Sequence, residues 1–493
     1  MSECFSQKFQ SVSYSCRRRV LTAAISANLL ANVSLSGLNV ALPAMEKALN
    51  LSAVVMVWVS SSLLLATAAS IAPAARLADL WGRRQCTILG LIIVIAASAA
   101  CGLATGPAAL LIGRGLMGLG LALVMAATMA MAAAVYPPDR RGMVFGYIVS
   151  AVYIGLAAGP GLCGVLVEFT GWPGVFWLTS LTLLLPLALL LSVGPEADGD
   201  AAGARSVGWS SFDYVGAGLW MAALSLIFIG LTNILSRQGL LLSLAGFLAG
   251  LLFARRQLWV ARPLMDVRLF SESRRFRWSS LAAFAAYCSA MGAIFLMGLY
   301  LQYVKGFTPR EAGFFLMVQP LVQALLTPVA GRLSDSRDPG RIAAAGLAIT
   351  TMAVLMIALG LSADSGLAYI LTSLIIFGIG FASFAAPNSN AVMSSVGASR
   401  LGVASGIITA TRLSGQISSL SFTALVFGLI MGPGRIEAEM IPDFIRATRL
   451  CFMVFAPMCF LGAIASLVRD HATAASEPRM NAFLTEAAEA RDL

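Results

Sequence analysis

Charge is scarce in this sequence, only 11% of the residues, so the places where it gathers are where chemistry is to be sought. RLADLWGRRQ, residues 76–85, sets Arg76, Asp79, Arg83 and Arg84 around Gly82 between two long apolar runs. A related stretch, GRLSDSRDPGR at 331–341, carries Gly331, Arg332, Asp335, Gly340 and Arg341. Two further arginines, Arg114 and Arg412, fall inside apolar runs. An acid just ahead of a helix is favoured by the positive end of the helix dipole, and a glycine beside it lets the backbone turn sharply. An arginine inside an apolar run is costly to keep and by default marks a functional site.

Other chemistries find no support. The eight cysteines form no C-x-x-C pair and the single histidine, His471, lies in a polar tail, so no metal site or disulfide framework is expected. That histidine can supply neither a zinc-protease helix nor a Ser-His dyad inside a membrane, and the serine of GVASG, 402–406, has no base beside it. None of the three lysines, Lys8, Lys47 and Lys305, follows a phosphate-binding glycine loop, which excludes an ATP-driven pump. The chain reads as a protein that is not an enzyme and needs no cofactor.

The elements that must position these residues are set by composition. At 59% hydrophobic residues and a mean hydropathy of +0.85, 493 residues are too apolar for water. A spanning helix needs roughly 20 apolar residues for a hydrocarbon core of about 30 Å. Apolar runs near 20–42, 53–75, 86–105, 107–134, 143–168 and 171–193 predict a first six-helix bundle over 20–193. The Gly-, Ala- and acid-rich stretch 194–213 reads as a cytoplasmic linker. Runs near 214–235 and 240–254 predict two inserted helices, and 255–277 a basic loop. Runs near 278–303, 311–330, 341–361, 366–393, 403–431 and 447–468 predict a second bundle over 278–468. The fold expected is an all-α integral membrane protein of about fourteen helices, two pseudo-symmetric six-helix bundles with two additional central helices.

Lys and Arg flanking spanning helices stay in the cytoplasm. Fourteen helices with the N-terminus inside put both termini, 1–19 and 469–493, in the cytoplasm together with most of the basic residues. The largest block is 254–278, with seven arginines. The net charge of +10 is thus an orientation signal and not a nucleic-acid footprint. SCRRRVLTAAISANLL near the N-terminus reads as the start of the first span and not as a cleaved signal, because the apolar run continues without a small-residue cleavage pattern. Arg114 follows Pro107 by seven residues, about 10 Å into its helix. Arg412 lies near the midplane, with Gln416 one turn on. Pro387, Asn388 and Asn390 are weaker candidates, most simply read as interhelical hydrogen-bonding residues.

Four motifs, in order along the chain, carry a resemblance. ARLADLWGRR, 75–84, resembles the cytoplasmic loop motif of the major facilitator superfamily, with Ala75 in place of its first glycine. LNVALP, 38–43, with Asn39 and Pro43, resembles the first-helix motif of the fourteen-helix drug:proton antiporter family, the multidrug efflux type. RGLMGLG, 114–120, resembles the fourth-helix arginine motif, and GLAAGPGLCG, 155–164, the antiporter motif of the fifth helix, with Cys163 where a glycine is usual. The resemblance implies a secondary transporter working by alternating access, its partners being a small-molecule substrate, protons and the lipid bilayer, in a monomer of the plasma or inner membrane. It implies that Asp79, Gly82, Arg83 and Arg84, with Gly331, Asp335 and Arg341 in the second half, act as a conformational latch. It implies that Gly155, Gly159, Pro160 and Gly164 form a kink that seals the pathway, and that Arg114 takes part in proton transfer or substrate binding.

Where the family usually carries an aspartate in its first helix, this chain has Ser34, which neither binds a proton nor carries charge at neutral pH. Glu168 reaches only the outer end of the fifth helix, and with Arg412 and Gln416 completes the candidates for a proton or substrate pathway. Two intramembrane arginines without a central acid favour a neutral or anionic substrate. The expected function is proton-coupled export of small hydrophobic or amphipathic compounds. The alternatives are an uncoupled facilitator or uptake carrier of the same fold, and a non-transporting sensor or scaffold.

Overall fold

The computed structural model describes residues 14–194, 212–260, 263–396, 400–432 and 434–474. Most of the linker expected at 194–213 and of the tail expected at 469–493 lies outside the described residues. Among the described residues, fourteen helices are long and apolar enough to cross a membrane. They are α1 (Tyr14–Leu49), α2 (Ala53–Trp81), α3 (Arg83–Gly102), α4 (Pro107–Val135), α5 (Pro138–Thr170), α6 (Pro173–Leu191) and α7 (Tyr214–Leu231). After these come α8 (Arg237–Trp259), α9 (Arg274–Tyr303), α10 (Pro309–Ser336), α11 (Pro339–Gly360), α12 (Leu367–Ser394), α13 (Leu401–Ile430) and α14 (Ile441–Ala474). The chain is a multi-pass membrane protein.

The boundaries follow from local chemistry. Proline, which has no N–H to leave unpaired, opens α4, α5, α6, α10 and α11. Side-chain oxygens of Ser52, Asp213, Ser236, Ser273 and Asp338 accept from the first free N–H groups of α2, α7, α8, α9 and α11. Thr308 and Glu311 form a reciprocal capping box on α10.

Helices α1–α6 and α9–α14 are two copies of one packing scheme. In the first, α1 lies on α5 and α6, α4 lies on α2 and α3, and α3 lies on α6. In the second, α9 lies on α13 and α14, α12 lies on α10 and α11, and α11 lies on α14. Adding eight to each number converts one set into the other. The bundles then join by exchange, α5 against α10 and α13 against α2, with α1 and α9 meeting between the two seams. Helices α7 and α8 pair with each other, and α7 lies along the α2–α13 seam, where the Trp220 indole donates to the Ala68 carbonyl of α2 at 3.2 Å.

Candidate functional site

The α2–α3 turn, the α10–α11 turn and the arginine-rich segment between α8 and α9 lie on one face of the molecule, the basic face. At the α2–α3 turn Gly82 adopts φ 120°, a conformation that L side chains rarely adopt, so the chain turns there within a single residue. Arg83 and Arg84 do more than mark the face. Arg83 Nη1 donates to the Ala130 carbonyl near the end of α4 at 3.1 Å, and Arg84 Nε to the Leu190 carbonyl at the end of α6 at 3.0 Å. Both thereby place positive charge at helix C-termini, where carbonyls lack intrahelical partners. Asp79 pairs with Arg83 at 3.5 Å, one turn away and in the same bundle, and remains half exposed.

The α10–α11 turn differs in detail. Asp338 caps α11 through the Gly340 N–H at 2.8 Å and reaches Arg341 at 3.4 Å. The backbone of Asp335 lies in the last turn of α10, and its side chain is outside the described residues. The Gly331 carbonyl accepts from Ser334, whose hydroxyl in turn accepts from Asn390 of α12 at 2.9 Å. Asn388 donates to the Ser279 carbonyl of α9 at 3.2 Å, so both asparagines bind helix to helix.

The α5 glycines divide between two jobs. Gly155 and Gly159 lie against α1: a methyl group at Gly159 would sit 2.5 Å from the Val33 carbonyl, and one at Gly155 would strike the Leu29 carbonyl. Gly164 faces the other bundle, where a methyl group would come 2.5 Å from the Pro309 carbonyl of α10. Gly313 of α10 returns the arrangement, approaching the carbonyl of Pro160, inside α5. Cys163, the departure from the glycine pattern, is buried and fills space that Gly37 of α1 leaves, its thiol directed at the Val33 carbonyl at 3.9 Å.

The hydrogen bonds that join the bundles cluster at the face opposite the basic one. Proline 43 sits inside α1 without ending it, so the helix continues to Leu49 and carries Glu46 with it. The Glu46 side chain is 3% exposed. Its carboxylate accepts from Arg435 Nε, in the segment before α14, at 2.6 Å and from the Tyr303 hydroxyl of α9 at 3.3 Å. Arg435 also donates to Asn50 at 3.0 Å, and the Glu46 carboxylate holds its guanidinium above the ordinary arginine range. Gln302 of α9 donates to the Val40 carbonyl of α1 at 3.1 Å. Sequence reading placed the end of the first span at 42 and so left Glu46 in a loop. The signal available was the register, because Asn39 and Glu46 are seven residues apart and share a face of one helix. Asn39 is itself buried at the α1–α9 contact, close to Gly298, with both amide atoms unpartnered.

The remaining candidates separate by depth. Ser34 accepts from Thr179 of α6 at 2.7 Å and is thereby engaged within its own bundle. Glu168 is exposed at the end of α5. Arg114 is 1% exposed; its Nε donates to the Val59 carbonyl of α2 at 3.1 Å, and its two terminal nitrogens have no partner. Arg412 is half-buried on α13, its Nη2 donating to Ser389 of α12 at 2.6 Å and its guanidinium lying 5.4 Å from the Tyr287 ring centre of α9. Gln416 is half-buried one turn on and makes no side-chain hydrogen bond to a described residue. Tyr153, from α5 of the other bundle, lies within electrostatic reach of both Tyr287 and Arg412. The motifs gave no hint of Tyr153 or Tyr287.

Known proteins share this plan. The chain is 25% identical to the riboflavin transporter RibZ of Clostridioides difficile, over 87% of its own length and 92% of the relative's. It is 31% identical to the multidrug resistance protein Stp of Mycobacterium tuberculosis, over 78% and 71% respectively. It is 28% identical to the tetracenomycin C resistance and export protein of Streptomyces glaucescens, over 75% and 68%. Among solved structures, a peptide transporter POT in complex with alafosfalin superposes with a TM-score of 0.67 at 16% identity, covering 92% of this chain and 97% of that one. A D-xylose-proton symporter gives 0.66 at 12%, covering 91% and 96%. The family model described as Major Facilitator Superfamily matches residues 24–420, from α1 through the first bundle and the inserted helices into α13 of the second. Two bundles repeating one packing scheme, joined by exchanged seams, are thus the frame of a transporter, and the chain belongs to the Major Facilitator Superfamily.

Proposed function

We propose that this transporter exports small hydrophobic or amphipathic compounds by alternating access, driven by inward proton movement. One observation carries the reading: the bundles are tied at the Glu46 end, while Asp79 at the basic face pairs within its own bundle. With the basic face in the cytoplasm, the side the positive-inside rule favours for Lys and Arg, this would be the state closed to the outside and ready to load from within. The latch reading of Asp79 and of the 331–341 turn fits it. Those groups would hold the bundles together in the opposite state, and here Asp79 pairs within its own bundle instead. The relatives named for drug resistance and export support the direction of transport.

A second reading, an uncoupled facilitator, is favoured by Ser34, a hydroxyl engaged with Thr179 where the antiporter family's acid is usual. Inside-out vesicles separate the two. With an imposed pH gradient, acid inside, coupled export gives saturable uptake of fluorescent apolar compounds that collapses with the gradient and with Arg114→Ala. Saturable uptake indifferent to the gradient makes the protein a facilitator. Absence of any saturable flux in either direction overturns both readings.

A further inference from the structure

Several arginines at the ends of this molecule are held by acids. Arg435 is held by Glu46, Arg256 by Asp213 at 2.7 Å and Arg400 by Glu272 at 2.6 Å. Arg412 has none among the described residues: its partners are a serine hydroxyl and an aromatic ring, and its Nε is buried with no described group to donate to. It stands 11 residues from the start of α13, about 16 Å into the helix, near the middle of the hydrocarbon. No Asp or Glu occupies the middle of any spanning helix among the described residues. A cation fixed at that depth without a counter-charge is unfavourable unless something supplies one.

What surrounds it is aromatic and lies at the same depth. Tyr287 is 13 residues along α9, Phe381 14 along α12 and Tyr153 15 along α5. Tyr287 and Phe381 meet edge to face at 5.1 Å, and Phe381 stacks on Phe377 at 6.1 Å with the planes only 9° apart. Tyr153 contributes from the first bundle, everything else from the second. Arg412, Tyr287 and Tyr153 each keep part of their surface accessible. Arg114 offers no such access, being enclosed at 1% exposure.

We infer that Arg412, Tyr287, Phe381 and Tyr153 form a binding site for a planar aromatic compound bearing one negative charge, a carboxylate, sulfonate or phenolate. The anion completes the Arg412 guanidinium, whose planar fork suits a carboxylate or sulfonate, and the ring packs edge to face among the tyrosines and Phe381. A cationic ring of the same shape meets the guanidinium's field with no acid to offset it. Because Tyr153 sits in one bundle and Arg412 in the other, an occupant touches both halves that alternating access must move. The inference rests on the transport reading for its purpose, but its test does not, since binding is read without a gradient.

The purified full chain is titrated with three probes of one shape: 2-naphthoate, 2-naphthalenemethanol and (2-naphthyl)trimethylammonium. Binding is followed by thermal shift and by isothermal calorimetry. The expected result is that 2-naphthoate binds at least ten-fold tighter than either analogue. Arg412→Gln should bring it level with the alcohol, Arg412→Lys should restore part of the preference, and Tyr287→Leu should weaken all three. Arg400→Gln, at the basic face, should change nothing, so a general loss of positive charge is not what is measured. If Arg412→Gln does not fold, Arg412→Lys and Tyr287→Leu still decide: unchanged naphthoate affinity in both overturns the site. Equal or tighter binding of the trimethylammonium probe by the native chain overturns it outright. Gradient-driven flux with no naphthoate preference would leave the transport reading standing and this site refuted; a naphthoate preference without flux would do the reverse.

Discussion

Two carboxylates at opposite faces behave differently because of what surrounds them. Asp79 is half exposed and its partner lies just across the α2–α3 turn, an exposed pair worth little to stability. Asp79→Asn is therefore expected to leave the melting temperature within a degree or two and yet to lower turnover several-fold in a vesicle flux assay; full activity would remove the latch assignment. Glu46 is enclosed and its partners come from distant parts of the chain. Glu46→Gln keeps the shape but removes the charge that Arg435 answers, so the outer closure should loosen. A cysteine at Val40, in a chain with its native cysteines replaced, should react with an impermeant maleimide several-fold faster in that variant. The arginines were legible in the sequence because charge in an apolar run stands out at once. Glu46 was not, because Pro43 and Lys47 beside it look like a helix end in one dimension. Its ion pair with Arg435 joins positions 389 residues apart, which no local pattern encodes. In a membrane, proline inside a helix is tolerated when neighbouring helices re-satisfy the backbone, so it is a poor stop signal there.

Helix α5 works through two faces, and its glycines should fail in two different ways. Gly155→Val inserts bulk between α5 and α1 of one bundle and should cost about 1–3 kcal/mol, read as a lower melting temperature. Gly164→Val intrudes on α10 of the other bundle, so the stability loss should be smaller and the flux loss larger, at least ten-fold. The G-x-x-x-G-P pattern made α5 legible as a tightly packed, kinked helix, but not which glycine served which neighbour, since that depends on the exchange of α5 and α13 between bundles. The α7–α8 pair is fastened differently. Burial opposes the charge on Asp213, but the Gly216 N–H, Arg256 and Gln257 outweigh it and hold its carboxyl below the ordinary range. A carboxylate with a depressed folded pKa contributes stability above its unfolded value of about 4 and loses that contribution as pH falls through the folded value. Asp213→Asn is thus expected to lower the melting temperature at neutral pH, with the gap from the native chain closing in acid.

The whole molecule is two repeats that meet at crossed seams, and its present closure can be tested by locking it. A methyl group built at Gly428 of α13 lies 3.9 Å from a Val54 methyl of α2, near the Glu46 end. Cysteines at these two positions, with the native ones replaced, should cross-link on mild oxidation, arrest flux and release it on reduction. Failure to cross-link would mean that this closure is rarely visited. The two charged turns made the repeat itself legible from the sequence. The place of α7 and α8 was not, because their apolar surfaces look alike from every side; α8 turns Leu241, Leu244, Phe247 and Leu251 outward. That placement makes the seams unequal. Pseudo-symmetry would give them the same surroundings, but among the described residues α7 lies along the α2–α13 seam and has no counterpart along the α5–α10 seam. A rocking motion therefore shears against fixed protein on one flank and against fluid on the other. Changes in lipid packing or viscosity would then act on the fluid flank alone, and bilayer composition is expected to alter the rate at which the two halves exchange position.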